Sequence, residues 1–347
     1  MQRGTIDSER LGASLSVPEN FLTYGSRLSG SLEVPCYPDF APLDLGLKDC
    51  LHPRLSLSVD GVSEFTFSGL FLFRNKYKYR VSRDGKDGAL IISGQREKTF
   101  FMTPCRAPKP DVLDSLFKTH DYWKNIPESV LSPVSEELKK RGIVFTEDRD
   151  NFDYLYYRED LANLTGQKYH KKKNLVNQFL HAYPDYEQRP MTAALVPAAI
   201  EILDRWQTRT EAAGRGSPLL QDRETGDYEA AREALDLFDS LYLRGAVFFA
   251  GGKPAAYCLG ESIARGRMFA IHFEKGIDDY KGIYQYMNQA FASTLPGFFT
   301  WINREQDLGS EGLRQAKMTY RPSGFVRKYT GVPEGNLGLR PRRQVPS

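Results

Sequence analysis

The sequence predicts two tandem α/β domains, each a mixed and mostly antiparallel sheet flanked by helices. The chain has 347 residues, which is more than one hydrophobic core usually accommodates. The same order of helices and strands occurs in both halves, and the 41% hydrophobic and 26% charged residues are typical of a soluble globular protein. We therefore expect domains at 36–186 and 187–330, between a flexible leader (1–35) and a flexible tail (331–347).

The first half combines strand and helix patterns. Alternation and turn residues predict strands at 78–82, 89–93, 99–103, 143–146 and 153–157. A helix is expected to begin near Pro110, because the apolar residues that follow recur at helical spacing: Val112, Leu113, Leu116 and Phe117. A second helix is predicted at 134–141.

The second half repeats this order. Helices are predicted around Leu195–Trp206 and at 228–242, followed by a three-stranded meander at 246–250, 255–261 and 268–274. A helix at 283–295, a strand at 299–303 and a short helix at 312–320 complete it. Helix, meander, helix and strand is the order of the GNAT acyltransferase core. Its appearance in both halves predicts two tandem GNAT-like domains.

Charge, cysteine usage and hydropathy exclude several classes of function. The net charge is only +3, so no global field indicates nucleic acid or a membrane surface as the partner. The four cysteines form no Cys-x-x-Cys pair, which argues against a structural metal site or a redox motif. No stretch reaches the roughly 20 apolar residues that span a bilayer. We expect a cytoplasmic protein with reduced thiols.

A basic helix is predicted between the two halves, at 165–183. Its apolar residues recur at helical spacing, so one face packs against the protein. Its start carries five basic residues, namely Lys168, His170, Lys171, Lys172 and Lys173. This density favours contact with phosphates, such as those of a tRNA acceptor arm or an anionic headgroup. The alternative is a solvated helix start with no ligand.

The strand at 268–274 carries two ionisable residues. If it alternates regularly, His272 and Glu274 share one face with Ala270 while Phe269, Ile271 and Phe273 occupy the other. Either His272 or Glu274 could be the general base that deprotonates an attacking amine or hydroxyl. In the alternative, His272 is a hydrogen-bonded core residue and Glu274 pairs with Lys275 or Arg304.

The loop before the helix at 283–295 is where GNAT enzymes hold the pyrophosphate of acyl-CoA on backbone amides. The usual pattern is Gln/Arg-x-x-Gly-x-Gly/Ala, and here only Gly282 of 279–284 matches. Asp279 would repel phosphate and Tyr284 would hinder close approach, although Lys281 could compensate in part. We therefore predict no cofactor, with acyl-CoA only weakly supported.

A polar run at 302–309 follows the last predicted strand. Strand ends are common positions for binding groups in α/β folds. The planar guanidinium of Arg304 suits a carboxylate or phosphate, and Asp307 could receive an α-amino group, with Asn303 in the same substrate-binding set. The alternative for Asp307 is a helix-capping network that includes Ser310.

Three motifs resemble a known family. Residues 166–174 resemble the stretch GKKYHKKRN of the phosphatidylglycerol lysyltransferase C-terminal-domain-like proteins. Residues 272–275 resemble the family's HFEKA, and 303–322 resemble its NREDDLGxEGLRxAKxxYxP. The likeness follows the chain in order over about 36–328. Gln306 stands where the family pattern has an acid, which removes one charge that could bind an amine.

The resemblance implies a tandem GNAT-like fold related to enzymes that transfer amino acids from aminoacyl-tRNA. It favours a transferase that moves an aminoacyl or other acyl group to a small-molecule amine or hydroxyl acceptor. Aminoacyl-tRNA, or another phosphate-bearing donor, is the favoured partner and acyl-CoA the second. A lipid acceptor is not expected, because the membrane-embedded half of the full lysyltransferases is absent from this sequence. The alternative is a non-catalytic protein that binds an amino acid or nucleotide on the same fold.

Overall fold

A computed structural model of the chain describes residues 33–85, 88–212 and 218–339. Most of the predicted leader and part of the predicted tail lie outside these residues. The described chain forms two seven-stranded sheets flanked by helices. In both sheets an antiparallel meander is followed by a helix and a parallel strand. The predicted tandem GNAT-like α/β architecture is therefore confirmed.

Sheet A contains most strands of the first half in the order β1-β2-β3-β4-β5-β14-β6. Its neighbours are antiparallel except for the parallel pair β4 and β5. The strands are β1 (Ala41–Pro42), β2 (Arg80–Arg83), β3 (Leu90–Gln95), β4 (Thr99–Met102), β5 (Tyr122–Pro127), β6 (Ile143–Glu147) and β14 (Lys328–Pro333).

Sheet B has the order β13-β7-β12-β11-β10-β9-β8. Here the parallel pair is β11 and β12, and the other neighbours are antiparallel. The strands are β7 (Asp153–Tyr157), β8 (Glu187–Pro190), β9 (Arg244–Ala250), β10 (Lys253–Ile263), β11 (Met268–Gly276), β12 (Trp301–Asn303) and β13 (Gly324–Val326).

Helices cover both sheets. Pro110 begins α4, where its missing N–H is not needed, and Ser310 caps α12 through its side chain. The helices are α1 (Lys48–Ser56), α2 (Phe67–Leu72), α3 (Arg74–Tyr77), α4 (Pro110–Thr119), α5 (Glu128–Leu131), α6 (Ser135–Lys140), α7 (Arg158–Asn163), α8 (His170–Ala182), α9 (Val196–Ala212), α10 (Pro218–Asp236), α11 (Ile283–Thr294) and α12 (Glu311–Met318). None of these described helices is long and apolar enough to cross a membrane.

The two sheets exchange strands with respect to chain order. Strand β14, from the end of the chain, lies between β5 and β6 of sheet A, while β7 lies between β12 and β13 of sheet B. The chain therefore passes from sheet A to sheet B between β6 and β7 and returns between β13 and β14. The domain boundary expected after residue 186 falls where β8 begins. The expected tail from residue 331 likewise begins inside β14.

Three apolar clusters form the core of the described part of the chain. The largest contains side chains of both sheets together with α9 and α10. A second covers the other face of sheet B beneath α7, α8 and α11, and a third covers the other face of sheet A beneath α4. The basic helix α8 belongs to the second cluster through buried Val176 and Phe179. This packing brings the start of α8 to the face of sheet B that carries the predicted site.

Candidate functional site

The parallel strands β11 and β12 open away from each other at the candidate site. They pair over Met268–Ala270 and Trp301–Asn303 only. Beyond these pairs β11 continues to Gly276 while β12 ends, and the chain turns at Glu305 with a positive φ of 56°. Side chains that follow the paired region can therefore point into the space between the two diverging segments.

A β-bulge disturbs the alternation of β11 at His272. Gly260 of β10 pairs with Ile271, but Leu259 pairs with Phe273, so His272 is an extra residue. Phe273 consequently packs with the largest cluster, whereas Phe269 and Ile271 belong to the second cluster. The predicted regular alternation is wrong at this point, because it assumed a strand without a bulge.

His272 is enclosed by two glutamates. Its Nδ1 lies 2.7 Å from Glu305 Oε1 and its Nε2 lies 3.0 Å from Glu261 Oε1, and its side chain is 5% exposed. Burial alone would lower its pKa, but the hydrogen bonds and negative charges of Glu261 and Glu305 raise the pKa to about 10. At neutral pH both ring nitrogens are therefore donors.

Glu274 and Arg304 form the ion pair that the sequence analysis gave as an alternative. Arg304 Nη2 donates to Glu274 Oε2 at 2.5 Å, and the side chains are only 10% and 19% exposed. The guanidinium carbon lies 4.9 Å from the ring centroid of Tyr320 and 5.8 Å from that of Tyr156. Burial would lower the pKa of Arg304, but the charge of Glu274 raises it, so the guanidinium stays charged.

Several polar groups around this ion pair are unused. Arg304 Nε and Nη1 and Tyr320 Oη are buried without a hydrogen-bond partner among the residues that the structure describes. Burial raises the pKa of Tyr320 to about 12, so its hydroxyl keeps its proton at neutral pH. Unpartnered buried donors are costly in a folded protein. Their grouping at one place makes this cluster a candidate ligand site.

Lys172 joins this cluster from α8. It is half-buried, and its Nζ lies 4.3 Å from the ring centroid of Tyr320. Burial and then the positive charge of Arg304 lower its pKa, and no described carboxylate forms an ion pair with it. We call Glu274, Arg304, Lys172 and Tyr320 the Arg304 site. Its two cations face one carboxylate, which leaves a positive excess suited to an anion.

Lys317 fixes the backbone of the Arg304 site. Its Nζ donates to the carbonyl oxygens of Arg304 (2.6 Å), Glu305 (3.2 Å) and Gln306 (2.7 Å), and burial lowers its pKa to about 8. Sequence reasoning assigned no role to Lys317 or to Tyr320. The signal was nonetheless present, because both residues fall inside the motif at 303–322.

Asn303 and Asp307 are fully buried and bonded within the protein. Asn303 Nδ2 donates to Gly61 O at 2.8 Å, and its Oδ1 accepts from the backbone N–H of Glu305. Asp307 accepts hydrogen bonds from Arg314, from Tyr154 and from the backbone of Gly309. Ser310, the other residue named in the capping alternative, is the N-cap of α12, whereas Asp307 bonds to Gly309 in the turn before the helix and to the side chain of Arg314. These contacts place both side chains under the loop rather than in the Arg304 site.

The remaining predicted residues lie at the surface. Lys168 pairs with Asp160 at 2.8 Å, and Lys281 is exposed in the turn before α11. Along α8, the residues beside Lys172 are exposed to solvent: His170, Lys171 and Lys173. The predicted basic group is thus divided, with one lysine in the Arg304 site and the rest outside.

Gly282 has a packing reason to be glycine. Its φ is +91°, and a Cβ atom there would lie 2.4 Å from the carbonyl oxygen of Leu175 in α8. The backbone of α8 therefore lies against the first turn of α11, and any larger residue would force the two helices apart. This contact accounts for the glycine without a bound phosphate.

Comparisons with known proteins agree with this architecture. A protein of unknown function from Bacteroides thetaiotaomicron is 27% identical, with a TM-score of 0.75 over 85% of this chain and 99% of that chain. The C-terminal domain of a putative lysylphosphatidylglycerol synthetase from Agrobacterium fabrum is 12% identical, with a TM-score of 0.54 over 85% and 96%. L-PGS from Bacillus licheniformis is 14% identical, with the same TM-score over 87% and 94%.

No curated protein matches the sequence. The family model described as phosphatidylglycerol lysyltransferase, C-terminal, matches residues 56–331. This range includes α8, both parallel strand pairs and every residue of the Arg304 site. The chain therefore belongs to the phosphatidylglycerol lysyltransferase C-terminal family.

Proposed function

We propose that this chain transfers an aminoacyl group from aminoacyl-tRNA to an amine or hydroxyl acceptor at the Arg304 site. Membership of the family and the GNAT-like fold support acyl or aminoacyl transfer at the level of the family. The donor and the assignment of the site are our proposal. It rests above all on the unpartnered N–H groups of Arg304 beside the carboxylate of Glu274.

The composition of the Arg304 site suits the charged end of an aminoacyl-tRNA. Lys172 offers its ammonium group to a phosphate of the nucleotide, and Arg304 offers its unpartnered N–H groups to the carbonyl oxygen of the ester. Glu274 supplies the carboxylate that accepts a proton. The rings of Tyr156 and Tyr320 enclose the guanidinium and limit the access of water to it.

The proposed reaction is direct transfer without a covalent enzyme intermediate. The acceptor nitrogen or oxygen attacks the ester carbonyl carbon, and the bond from that carbon to the ribose oxygen breaks. The acceptor's proton passes to Glu274 and then to the departing ribose oxygen. The Tyr320 hydroxyl and the free N–H groups of Arg304 donate to the oxyanion. We favour Glu274 over His272 as the base, because both nitrogens of His272 are already occupied.

Other predicted residues have supporting roles in this proposal. Asn303 and Asp307 hold the loop that presents Arg304. His170, Lys171 and Lys173 attract the tRNA phosphates at longer range, so binding should weaken as salt is raised.

The test is a titration of purified protein with charged tRNA, uncharged tRNA and acetyl-CoA in parallel. Charged tRNA should bind most tightly. Lys172→Ala should weaken its binding about tenfold, because a charge-assisted contact is lost. Lys171→Ala is the matched control, since it removes the same charge from an exposed neighbouring position. Equal losses in both variants would contradict a role for Lys172 inside the site, and saturable binding of acetyl-CoA alone would contradict the donor.

Turnover is tested by following loss of the aminoacyl ester in the presence of a mixture of small amines. Glu274→Gln should retain binding of charged tRNA and lose ester turnover by about a hundredfold or more. His272→Asn should leave more activity than Glu274→Gln. Binding without turnover in the parent protein would instead favour the non-catalytic binding protein.

A further inference from the structure

A cavity lies away from the Arg304 site. It has a volume of about 490 Å³ and is bounded by the end of α1, the segments that follow β4 and β5, and the turn between β10 and β11. No residue of the Arg304 site lines it. Its volume is within the range of about 300–1,000 Å³ that small-molecule sites usually have.

Three arginines give this cavity its charge: Arg54, Arg106 and Arg265. Arg265 Nε donates to the carbonyl oxygen of Leu57 at 3.1 Å. Arg54 and Arg106 are exposed and form no ion pair with any residue that the structure describes. Guanidinium groups with free donors at one cavity are suited to a carboxylate or phosphate.

Among the described residues, one carboxylate lines the same cavity, that of Asp60, and it is already hydrogen-bonded. Its oxygens accept hydrogen bonds from Ser129 Oγ and from Ser58 Oγ. Asp60 supplies one negative charge against the three positive charges of the lining arginines, so among the described residues the cavity keeps a positive excess.

An apolar surface lies beside the arginines. Leu57 is 58% exposed and Val59 is 44% exposed, and the wall continues with Leu55, Leu90 and Pro104. Covering large aliphatic side chains of this exposure with a ligand is favourable, because it removes apolar surface from water. An inorganic anion would leave this surface in water, whereas an anion with an apolar body would cover it.

We propose that this cavity binds a small organic anion with an aliphatic body, of the class of alkyl phosphates and alkyl carboxylates. The arginines bind the anionic head, and Leu57 and Val59 contact the aliphatic body. Arg106 follows β4 of sheet A, while Arg265 lies in the turn between β10 and β11 of sheet B. The bound anion therefore links the two sheets and raises the unfolding temperature.

Isothermal titration of the full chain with octyl phosphate tests this site. Octyl phosphate should bind saturably, and affinity should rise by about fourfold for each methylene buried along the series from butyl to octyl. Inorganic phosphate and uncharged octyl glucoside should bind far more weakly, and octanoate shows whether a carboxylate serves as the head. The proposal is overturned if inorganic phosphate binds as tightly as octyl phosphate, or if neither octyl phosphate nor octanoate binds.

Variants locate the binding. Arg54→Ala and Arg106→Ala should each weaken octyl phosphate about tenfold, whereas Arg244→Ala, an exposed arginine of β9 that does not line the cavity, should have no effect. Leu57→Ser should reduce the dependence on chain length. These side chains are exposed, so the variants should fold. The proposal is overturned if Arg54→Ala, Arg106→Ala and Leu57→Ser bind octyl phosphate as tightly as the control Arg244→Ala.

Cys105 provides an internal probe, because it lines the cavity and is exposed, while Cys36 is exposed elsewhere. Octyl phosphate should slow alkylation of Cys105 by iodoacetamide and leave the rate at Cys36 unchanged. Equal rates at Cys105 with and without octyl phosphate would place its binding elsewhere and overturn the assignment.

Discussion

The ion pair of Lys328 with Asp153 and the ion pair in the Arg304 site are both buried, but they differ in how completely they are bonded. Lys328 and Asp153 are 0% exposed. One oxygen of Asp153 accepts from Lys328 Nζ and Ser63 Oγ, and the other accepts from Ser63 N and Asn303 Nδ2. In the described residues the Arg304 site instead leaves two guanidinium nitrogens and a phenol unpartnered.

This difference separates a structural network from a binding site. Lys328 lies on β14 and Asp153 on β7, which are the two exchanged strands, so their ion pair joins the two sheets. Every side-chain polar atom of Lys328 and Asp153 has at least one partner within the protein, so this pair is bonded without a ligand. The Arg304 site has a folding cost that no described residue offsets, and a ligand that uses the free donors would recover it.

The largest expected effect comes from breaking the bonded network. Lys328 also forms an ion pair with Glu64. Lys328→Met leaves Asp153 and Glu64 without this cation, which should lower the free energy of unfolding by about 3–5 kcal/mol. Urea denaturation measures this loss. The double variant Lys328→Met/Asp153→Asn should regain part of it, because one of the two carboxylates is removed. A loss below about 1 kcal/mol would show that the pair does not hold the sheets together.

The free energy of unfolding should depend on pH through His272, because both of its ring nitrogens are bonded to glutamates. Its pKa is raised from 6.5 to about 10 in the folded protein, so the stabilisation is fully present below pH 6.5 and is lost as pH rises through about 10. The unfolding free energy of the parent should therefore fall across that window. His272→Asn should cost about 2 kcal/mol near neutral pH and remove the fall. Parallel pH profiles of the two proteins would contradict the assignment.

A smaller loss of stability is expected in the Arg304 site. Arg304→Lys keeps the charge next to Glu274 but loses the planar guanidinium. The free energy of unfolding should therefore fall by only about 1 kcal/mol, while the affinity for the ligand falls about tenfold. Arg314→Lys is the control, since Arg314 pairs with Asp150 and Asp307 outside the site. Similar binding losses in both variants would indicate a general loosening of the loop.

Local patterns were enough to predict the order of elements, but not which sheet each strand joins. The strand at 153–157 was expected from its own alternation, and β7 forms there. Its place beside β12 depends on pairing with residues about 150 positions later, and the same holds for β14. A strand's local pattern is identical whichever sheet receives it.

The residues of the candidate site on predicted strands could be inferred from local patterns, but the residue brought there by helix packing could not. Arg304 and Glu274 stand at the ends of predicted strands, so their positions could be inferred from sequence. The approach of Lys172 to Tyr320 depends on how α8 packs, which no local pattern indicates. The bulge at His272 did have a signal: a Cβ atom at Gly260 of the adjacent strand would lie 2.0 Å from the carbonyl oxygen of Ala270, and glycine within a strand often marks a bulge.

Lys172→Ala is expected to have the smallest effect on stability, and it directly tests the difference between the Lys328–Asp153 pair and the Arg304 site. Lys172 is half-buried next to Arg304 without a carboxylate of its own, and its pKa is lowered from 10.5. Lys172→Ala should therefore raise the unfolding free energy slightly, by up to about 1 kcal/mol, while weakening ligand binding.

This gain should depend on pH, because the pKa of Lys172 is lower in the folded than in the unfolded protein. Lys172 destabilises the folded protein while it is charged in both the folded and the unfolded state, and this destabilisation diminishes as pH rises towards 10.5. The gain from the variant should shrink over the same range when urea denaturation is repeated at increasing pH. Lys171→Ala, at an exposed position, should show neither change, and a loss of stability in Lys172→Ala would mean that Lys172 belongs with the structural network.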